Sequence, residues 1–296
     1  MLTSDQRRAQ LRSLLHSKRC LRVLETHSPI SALLAQHARF EPTPGHSVGY
    51  DAIWSSSLTD STHKGLPDIE ILSVSNRLQN VHDIFEVSSL PMLFDGDTGG
   101  KPEHFALHVK ALERAGVSAV VIEDKCGLKK NSLFGNEVFQ EQESIKDFCE
   151  KIRAGRAARL TDEFLVIARC ESLILDRGHE EAMQRCLAYV EADADGIMIH
   201  SRKKDGREIT DFARGFRDRH PDVPLVCVPT SYAHLTFEEL AASGFNVVIY
   251  ANHMLRSAYL AMRGVAEDIL RHGRTLEVEP RCLGIDEILH LIPGTR

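Results

Sequence analysis

The sequence predicts an α/β protein, a (β/α)8 barrel of the TIM type, and three observations carry that expectation. Eight short apolar runs rich in Val and Ile punctuate the chain: LRVLETH (21–27), AIWSSS (52–57), PMLFDGD (91–97), AVVIEDK (119–125), FLVIARCES (164–172), GIMIHSR (196–202), PLVCVPT (224–230) and FNVVIYANH (245–253). None alternates cleanly, as expected of strands buried on both faces of a parallel sheet. Helical patterns lie between them, the arrangement of βα units with right-handed crossovers. No G-x-G-x-x-G follows the first run, which counts against an open dinucleotide-binding sheet.

From the start, MLTSDQRRAQLRSLLHSKRC reads as an amphipathic helix. Two Arg interrupt its apolar periodicity, and it has no apolar core or small-residue cleavage site, so no signal peptide is expected. FEPTPGHSVGY, 40–50, is turn-rich and should form a surface excursion before the second strand. HFALHVKALERAG sets Phe105, Val109 and Leu112 on one helix face, with Gly116 as C-cap. The segment 126–146 is long for a connection, and such a loop serves as a lid or binding loop. EEAMQRCLAYVEA sets Met183, Cys186, Leu187 and Val190 on a face of its own. The tail, 274–296, carries a short helical pattern, IDEILHLI, that needs a surface to bury against. Barrels of this kind run to about 250 residues as one domain, so a single domain over 1–296 is expected.

The totals narrow the function classes. With 43% hydrophobic and 26% charged residues the chain is globular. A net charge of −6 without any polybasic run excludes a nucleic-acid footprint. The longest apolar runs are strand-sized, too short for a membrane span, and a cytoplasmic enzyme is expected. The seven cysteines are scattered without a C-x-x-C pair, so neither a disulfide framework nor a zinc ribbon is indicated.

In this fold the working groups stand at the C-terminal strand ends. Those ends supply Ser56, Ser57, Asp95, Asp97, Glu123, Asp124, Lys125, Arg169, Glu171, His200, Ser201, Thr230, Asn252 and His253. Asp95-Gly96-Asp97 places two carboxylates on one side of a strand, and Glu123 adds a third from the next. Such an oxygen-rich set suits Mg²⁺, which prefers octahedral oxygen ligands and keeps several waters. Arg169 and His200 would point into the same mouth and could clamp a carboxylate or phosphoryl oxygen. Of Lys125, Lys129 and Lys130, two are expected to be merely solvated.

WSSSLTDSTHKGLPDIE, DGDTGG, EDKCGLKKNSLFG, IARCESLI, IMIHSRKK, VPTSY and IYANHMLRSAY, spread over residues 20–273, closely resemble the phosphoenolpyruvate mutases of phosphonate biosynthesis, within the isocitrate lyase superfamily. The resemblance implies interconversion of phosphoenolpyruvate and phosphonopyruvate with Mg²⁺ as cofactor. Asp95 would bind the ion directly, with Asp97 and Glu123 holding its waters. Backbone groups of Ser56 and Leu58, with Arg169 and His200, would bind the pyruvyl carboxylate and enolate oxygen. Trp54, Ser57 and Ser132 are further substrate-binding positions. Asp68 would stand near the migrating phosphoryl group, and Lys129 and Asn131 would lie on the gating loop, 126–146. The family also implies a homo-tetramer or dimer whose C-terminal helix crosses to a partner barrel. A downstream enzyme would pull an equilibrium that favours phosphoenolpyruvate.

Two sister activities compete. Phosphonopyruvate hydrolase has much the same site but lacks the mutase-type loop asparagine, which Lys129-Lys130-Asn131-Ser132 keeps. Carbon–carbon lyases carry a catalytic Cys in K-[KR]-C-G-H, whereas here Leu128 follows Lys125-Cys126-Gly127, leaving Cys126 incidental. A non-catalytic binding protein would have broken carboxylates, and none is broken. One local departure stands out: Ala192-Asp193-Ala194-Asp195, where the family usually has Gly before Ala-Asp.

Overall fold

The computed structural model describes residues 2–294, which divide into two compact units, Met1–Asn252 and His253–Arg296. The boundary falls where the eighth strand ends, ahead of the expected tail at 274.

The first unit is a closed, all-parallel barrel. Its strands are β1 Leu21–Glu25, β2 Ala52–Ser55, β3 Met92–Asp95, β4 Ala119–Glu123, β5 Leu165–Cys170, β6 Gly196–Ile199, β7 Leu225–Cys227 and β8 Val247–Tyr250. Each pairs with its sequence neighbours, and β1 closes the ring against both β8 and β2. All eight expected strands form, each ending two or three residues before its run does. Asp95, Glu123 and Arg169 still lie in the ladder, while Ser56, His200 and Thr230 follow just beyond it, and both sets build the mouth. Leu21, Val23, Trp54, Leu93, Val121, Ile167, Met198 and Ile249 fill the interior, each contributing ~1.5–3 kcal/mol of burial.

The amino-terminal helix, Ser4–Ser17, starts on a Thr3 capping box. Its Arg7 is buried because it donates to the Ser88 and Leu90 carbonyls at 2.7 and 3.1 Å and covers the Phe85 ring. Residues 40–50 form an exposed antiparallel hairpin, Phe40–Thr43 with His46–Val48. The helix Pro102–Ala115 buries Phe105, Val109 and Leu112 as its periodicity requires, and Gly116 caps it at φ +95°.

The helix His179–Glu191 corrects the sequence reading. It buries Ala182, Arg185, Cys186 and Tyr189, while Met183, Leu187 and Val190 are only half-buried. The cause is polar: Tyr189 donates to the fully buried Asp124 at 2.5 Å, drawing that face inward. Asp193 sits at φ +67°, so the residue where the family usually has glycine holds a left-handed turn that aspartate tolerates.

The long segment after β4 is anchored at its foot, where Lys125–Cys126 pairs antiparallel with Glu141–Gln142. Its tip holds a 3₁₀ turn, Ser132–Glu137. The next helix, Ile145–Ala158, already begins before the expected end of the loop at 146.

The second unit contains helices His253–His272 and Ile285–Leu291, the latter matching the IDEILHLI pattern. Asp268 ties it internally to Arg271 and Arg281 at 2.7 and 2.6 Å. Leu260, Leu270, Ile285 and Leu289 are exposed. No described helix is long and apolar enough to cross a membrane.

Candidate active site

The C-terminal mouth encloses a small cavity, ≈ 60 Å³. Trp54 of β2, Asp95 of β3, Glu123 of β4 and Arg169 of β5 reach it from the strands. Ser56, Ser57 and Leu58 come from the turn entering the helix Ser57–His63, Asp68 from the loop beyond, and His200 from the end of β6. Lys129, Asn131 and Ser132 close it from the lid, and Thr230 and Asn252 complete the wall. Of the residues to which the resemblance gave a role, Asp97 alone stands outside this lining, and so do the further strand-end groups Asp124, Lys125, Glu171, Ser201 and His253.

Lys129 draws the centre together. Its Nζ donates to Ser57 Oγ at 2.7 Å, to Asp68 Oδ1 at 2.8 Å and to Asp97 Oδ1. Asn131 Nδ2 donates to the other Asp68 oxygen at 2.8 Å. Asp95 in turn accepts from the Ser57 amide and hydroxyl at 3.2 and 2.8 Å and from the Asp97 amide at 3.2 Å. Gly96 makes this hairpin of carboxylates possible, since a Cβ there would meet Val120 Cγ2 at 2.8 Å.

Beneath the carboxylates lies a cation that sequence reasoning missed. Arg77 is fully buried over the Phe94 ring, bonded to Asp60 Oδ2 at 2.9 Å, to Ser55 O and Oγ at 3.1 Å and to the Asp95 carbonyl. A signal did exist: Arg77, Val81 and Ile84 share the buried stripe of the helix Val74–Val87, so an arginine stands in a core position. Burial alone would push the Asp95 carboxyl up, but Lys129, Arg169 and Arg77 outweigh it and hold Asp95 at about 2. Asp97 and Glu123 go the other way, burial raising both.

On the far wall Arg169 donates through Nε to Glu171 at 2.6 Å and through Nη2 to Ser132 Oγ at 2.7 Å. The same Nη2 lies 3.0 Å from His200 Nδ1. Burial, helped by the Arg169 charge, lowers the His200 pKa, so its imidazole favours the neutral form. A neutral ring can accept from the guanidinium without repelling it.

Several strand-end residues do not join the cavity. Asp124 accepts from Tyr189, from Gln142 at 2.8 Å and from the Glu171 amide at 2.9 Å, so it anchors structure. Ser201 donates to Glu208 at 2.6 Å. The expectation that two of the three lysines are solvated is overturned. Lys125 and Lys129 are buried because carboxylates and lid acceptors surround them, and Lys130 is half-buried. The Cys126 thiol is pushed up by burial and by Glu141 and Glu143, the opposite of an activated nucleophile.

Among the described residues no three carboxylate, imidazole or thiol groups converge tightly enough to enclose an ion directly. The donor set nevertheless suits Mg²⁺ held partly through water. Asp95, Asp97 and Glu123 offer only oxygen, and Glu123 Oε1, though it faces the Lys125 ammonium at 3.3 Å, is buried without a hydrogen bond, an acceptor that a metal-bound water would satisfy.

An eight-stranded βα barrel with anionic and cationic groups converging at its C-terminal mouth has the site architecture of a barrel enzyme, and its relatives place this one in the isocitrate lyase/phosphoenolpyruvate mutase superfamily. The family model for phosphoenolpyruvate phosphomutase matches residues 11–270, and the chain belongs to that family. It is 40% identical over 283 residues to phosphonopyruvate hydrolase of Variovorax sp. (strain Pal2), covering 95% of this chain and 93% of that one. It superposes on the crystal structure of phosphoenolpyruvate phosphomutase from Streptomyces platensis subsp. rosaceus with a TM-score of 0.87 at 36% identity, covering 96% and 94% of the two chains. A phosphonopyruvate hydrolase crystallised with oxalate and Mg²⁺ matches with a TM-score of 0.84 at 38% identity, covering 98% and 95%.

Proposed function

We propose that the chain is a Mg²⁺-dependent phosphoenolpyruvate mutase that interconverts phosphoenolpyruvate and phosphonopyruvate. The observation that carries this reading is Asp68, whose two carboxylate oxygens take Lys129 and Asn131 from the lid at 2.8 Å each. A lid seated on that residue excludes water, so the enolate carbon faces less competition for the phosphoryl group.

Mg²⁺, bound directly by Asp95 with Asp97 and Glu123 holding its waters, would supply Lewis-acid stabilisation of enolate charge. Arg169, fixed by Glu171 and beside a neutral His200, is oriented to hold the pyruvyl carboxylate and enolate oxygen. The Ser56 and Leu58 backbone would bind the same group, with Trp54, Ser57 and Ser132 shaping its seat. Lys129, whose three donors are taken by Ser57, Asp68 and Asp97, would hold the phosphoryl oxygens by exchanging one of those partners. The exposed apolar side chains of the second unit support a homo-tetramer or dimer in which they are covered.

Phosphonopyruvate hydrolysis is the second reading, favoured by the 40% identity to a hydrolase. Incubating the protein with Mg²⁺ and phosphonopyruvate under ³¹P NMR decides between them. A phosphate-ester resonance from phosphoenolpyruvate is expected, and inorganic phosphate alone would establish the hydrolase instead.

A further inference from the structure

Lys125 is 1% exposed and stands at the foot of the lid. Its Nζ donates to the Lys130 carbonyl at 2.8 Å, to Ser132 Oγ at 2.9 Å and to Gln140 Oε1 at 3.0 Å. An ammonium has three donors, and here all three serve lid residues. Beneath it lie Glu123 Oε1 at 3.3 Å and Glu171 Oε2 at 3.4 Å, from the ends of two adjacent strands. The contacts spread outward from there. Gln140 Nε2 donates to the Gly135 carbonyl at 2.6 Å, and Ser132 bonds both Glu171 and Arg169.

Burying an ammonium is costly unless acceptors and opposite charges offset it. With the lid down, the descending limb at 130–132 and the returning limb at 140 both supply acceptors. Lifting the lid would remove all three at once while the cation stays fixed over Glu123 and Glu171. The closed position is therefore favoured by the cation's own need for partners.

We propose that Lys125 is a positioning residue that clamps both limbs of the lid and holds it over the cavity without touching substrate. The clamp deepens the water-excluding lid of the proposed function, and rests on that reading only for its effect on products. Trypsin tests it, because Lys129 and Lys130 both lie in the lid. In the presence of Mg²⁺ and oxalate, cleavage after those lysines in Lys125→Met is expected to run at least tenfold faster than in wild type. Gln140→Leu, which removes one of the three acceptors, should fall between them. Equal rates in wild type and Lys125→Met overturn the proposal. If Lys125→Met does not fold, by circular dichroism, Gln140→Leu decides, and its cleavage at the wild-type rate overturns it equally.

Products give the readout that a merely structural lysine would not move. In Lys125→Met, the share of phosphonopyruvate released as inorganic phosphate is expected to rise at least tenfold relative to phosphoenolpyruvate. Should wild type release phosphate alone, the mutase reading fails, yet the comparison of cleavage rates still decides the clamp.

Discussion

Lys129 of the lid and Asp68 of the loop opposite meet across the cavity at 2.8 Å, and Asn131 occupies the second Asp68 oxygen at the same distance. One carboxylate thus receives both lid donors. Closure and the fixing of Asp68, which the proposed function sets at the phosphoryl end of the site, are therefore the same event.

That coupling makes Asn131 the sharpest test of the lid. Asn131→Ala removes a donor that a methyl cannot replace, while Lys129 keeps Asp68 ionically paired. Mutase turnover should fall by about 100-fold or more, with the thermal midpoint within a few degrees of wild type. Unchanged conversion of phosphonopyruvate would refute the role given to the loop.

Asp95 tests the metal. Outer partners of a bound ion are worth ~10–100-fold in affinity, and a direct ligand should exceed that. Asp95→Ala should therefore lose Mg²⁺ binding by calorimetry together with turnover. Near-normal binding would move the ion to Asp97 and Glu123.

Arg77 tests the support beneath the site. Its removal leaves the buried Asp60 with only the Ser55 hydroxyl at 2.7 Å, its Oδ1 already lacking a hydrogen bond, and frees the Asp95 carbonyl. Losing one partner of a buried ionic network costs about 3–5 kcal/mol. Urea unfolding of Arg77→Met should show a loss of that size, and a loss below ~1 kcal/mol would mean that the network contributes little.

The limits of sequence reading show in the same residues. The strands were legible because a parallel barrel buries both faces of each, which leaves compact apolar runs without alternation. Asp95, Glu123, Arg169 and His200 were legible because they follow those runs directly. Arg77 was not, nor was the burial of Lys125, since apolar periodicity reports transfer from water and says nothing about a buried cation's distant partners. Arg77 finds Asp60, 17 residues away, and Lys125 finds Gln140, 15 away. Tyr189 shows the same failing, its inward turn being set by Asp124 on another element.

His200 makes stability depend on pH with a definite sign. Burial lowers its folded pKa below the ordinary 6.5, so the unfolded chain binds the proton more readily. As pH falls through 6.5, protonation favours unfolding until the folded pKa is reached, at about 1.4 kcal/mol per pH unit at most. Urea midpoints between about pH 7.5 and 5.5 should decline more in wild type than in His200→Gln. Parallel curves would show that the imidazole titrates as freely folded as unfolded.

Gly135 bears on the lid's tip and does not itself line the cavity. It holds φ +51° and ψ −131°, and a Cβ there would meet the Arg202 guanidinium at 2.4 Å. Moving Arg202 aside would break its 2.6 Å contact with Asp176, whose carboxylate Asn136 of the lid also bonds at 2.8 Å, a partly exposed pair worth about 0–1 kcal/mol. The lid tip therefore docks on the loops after β5 and β6 through a glycine that leaves room for an arginine. Gly135→Ala adds both the clash and ~1–3 kcal/mol of backbone strain, all charged to the closed lid and none to the barrel. Mutase kcat/KM should fall about tenfold or more while the unfolding midpoint of the barrel is unchanged. Wild-type turnover in that variant would mean that the tip contacts are dispensable, and closure would rest on Lys129, Asn131 and the lid's foot alone.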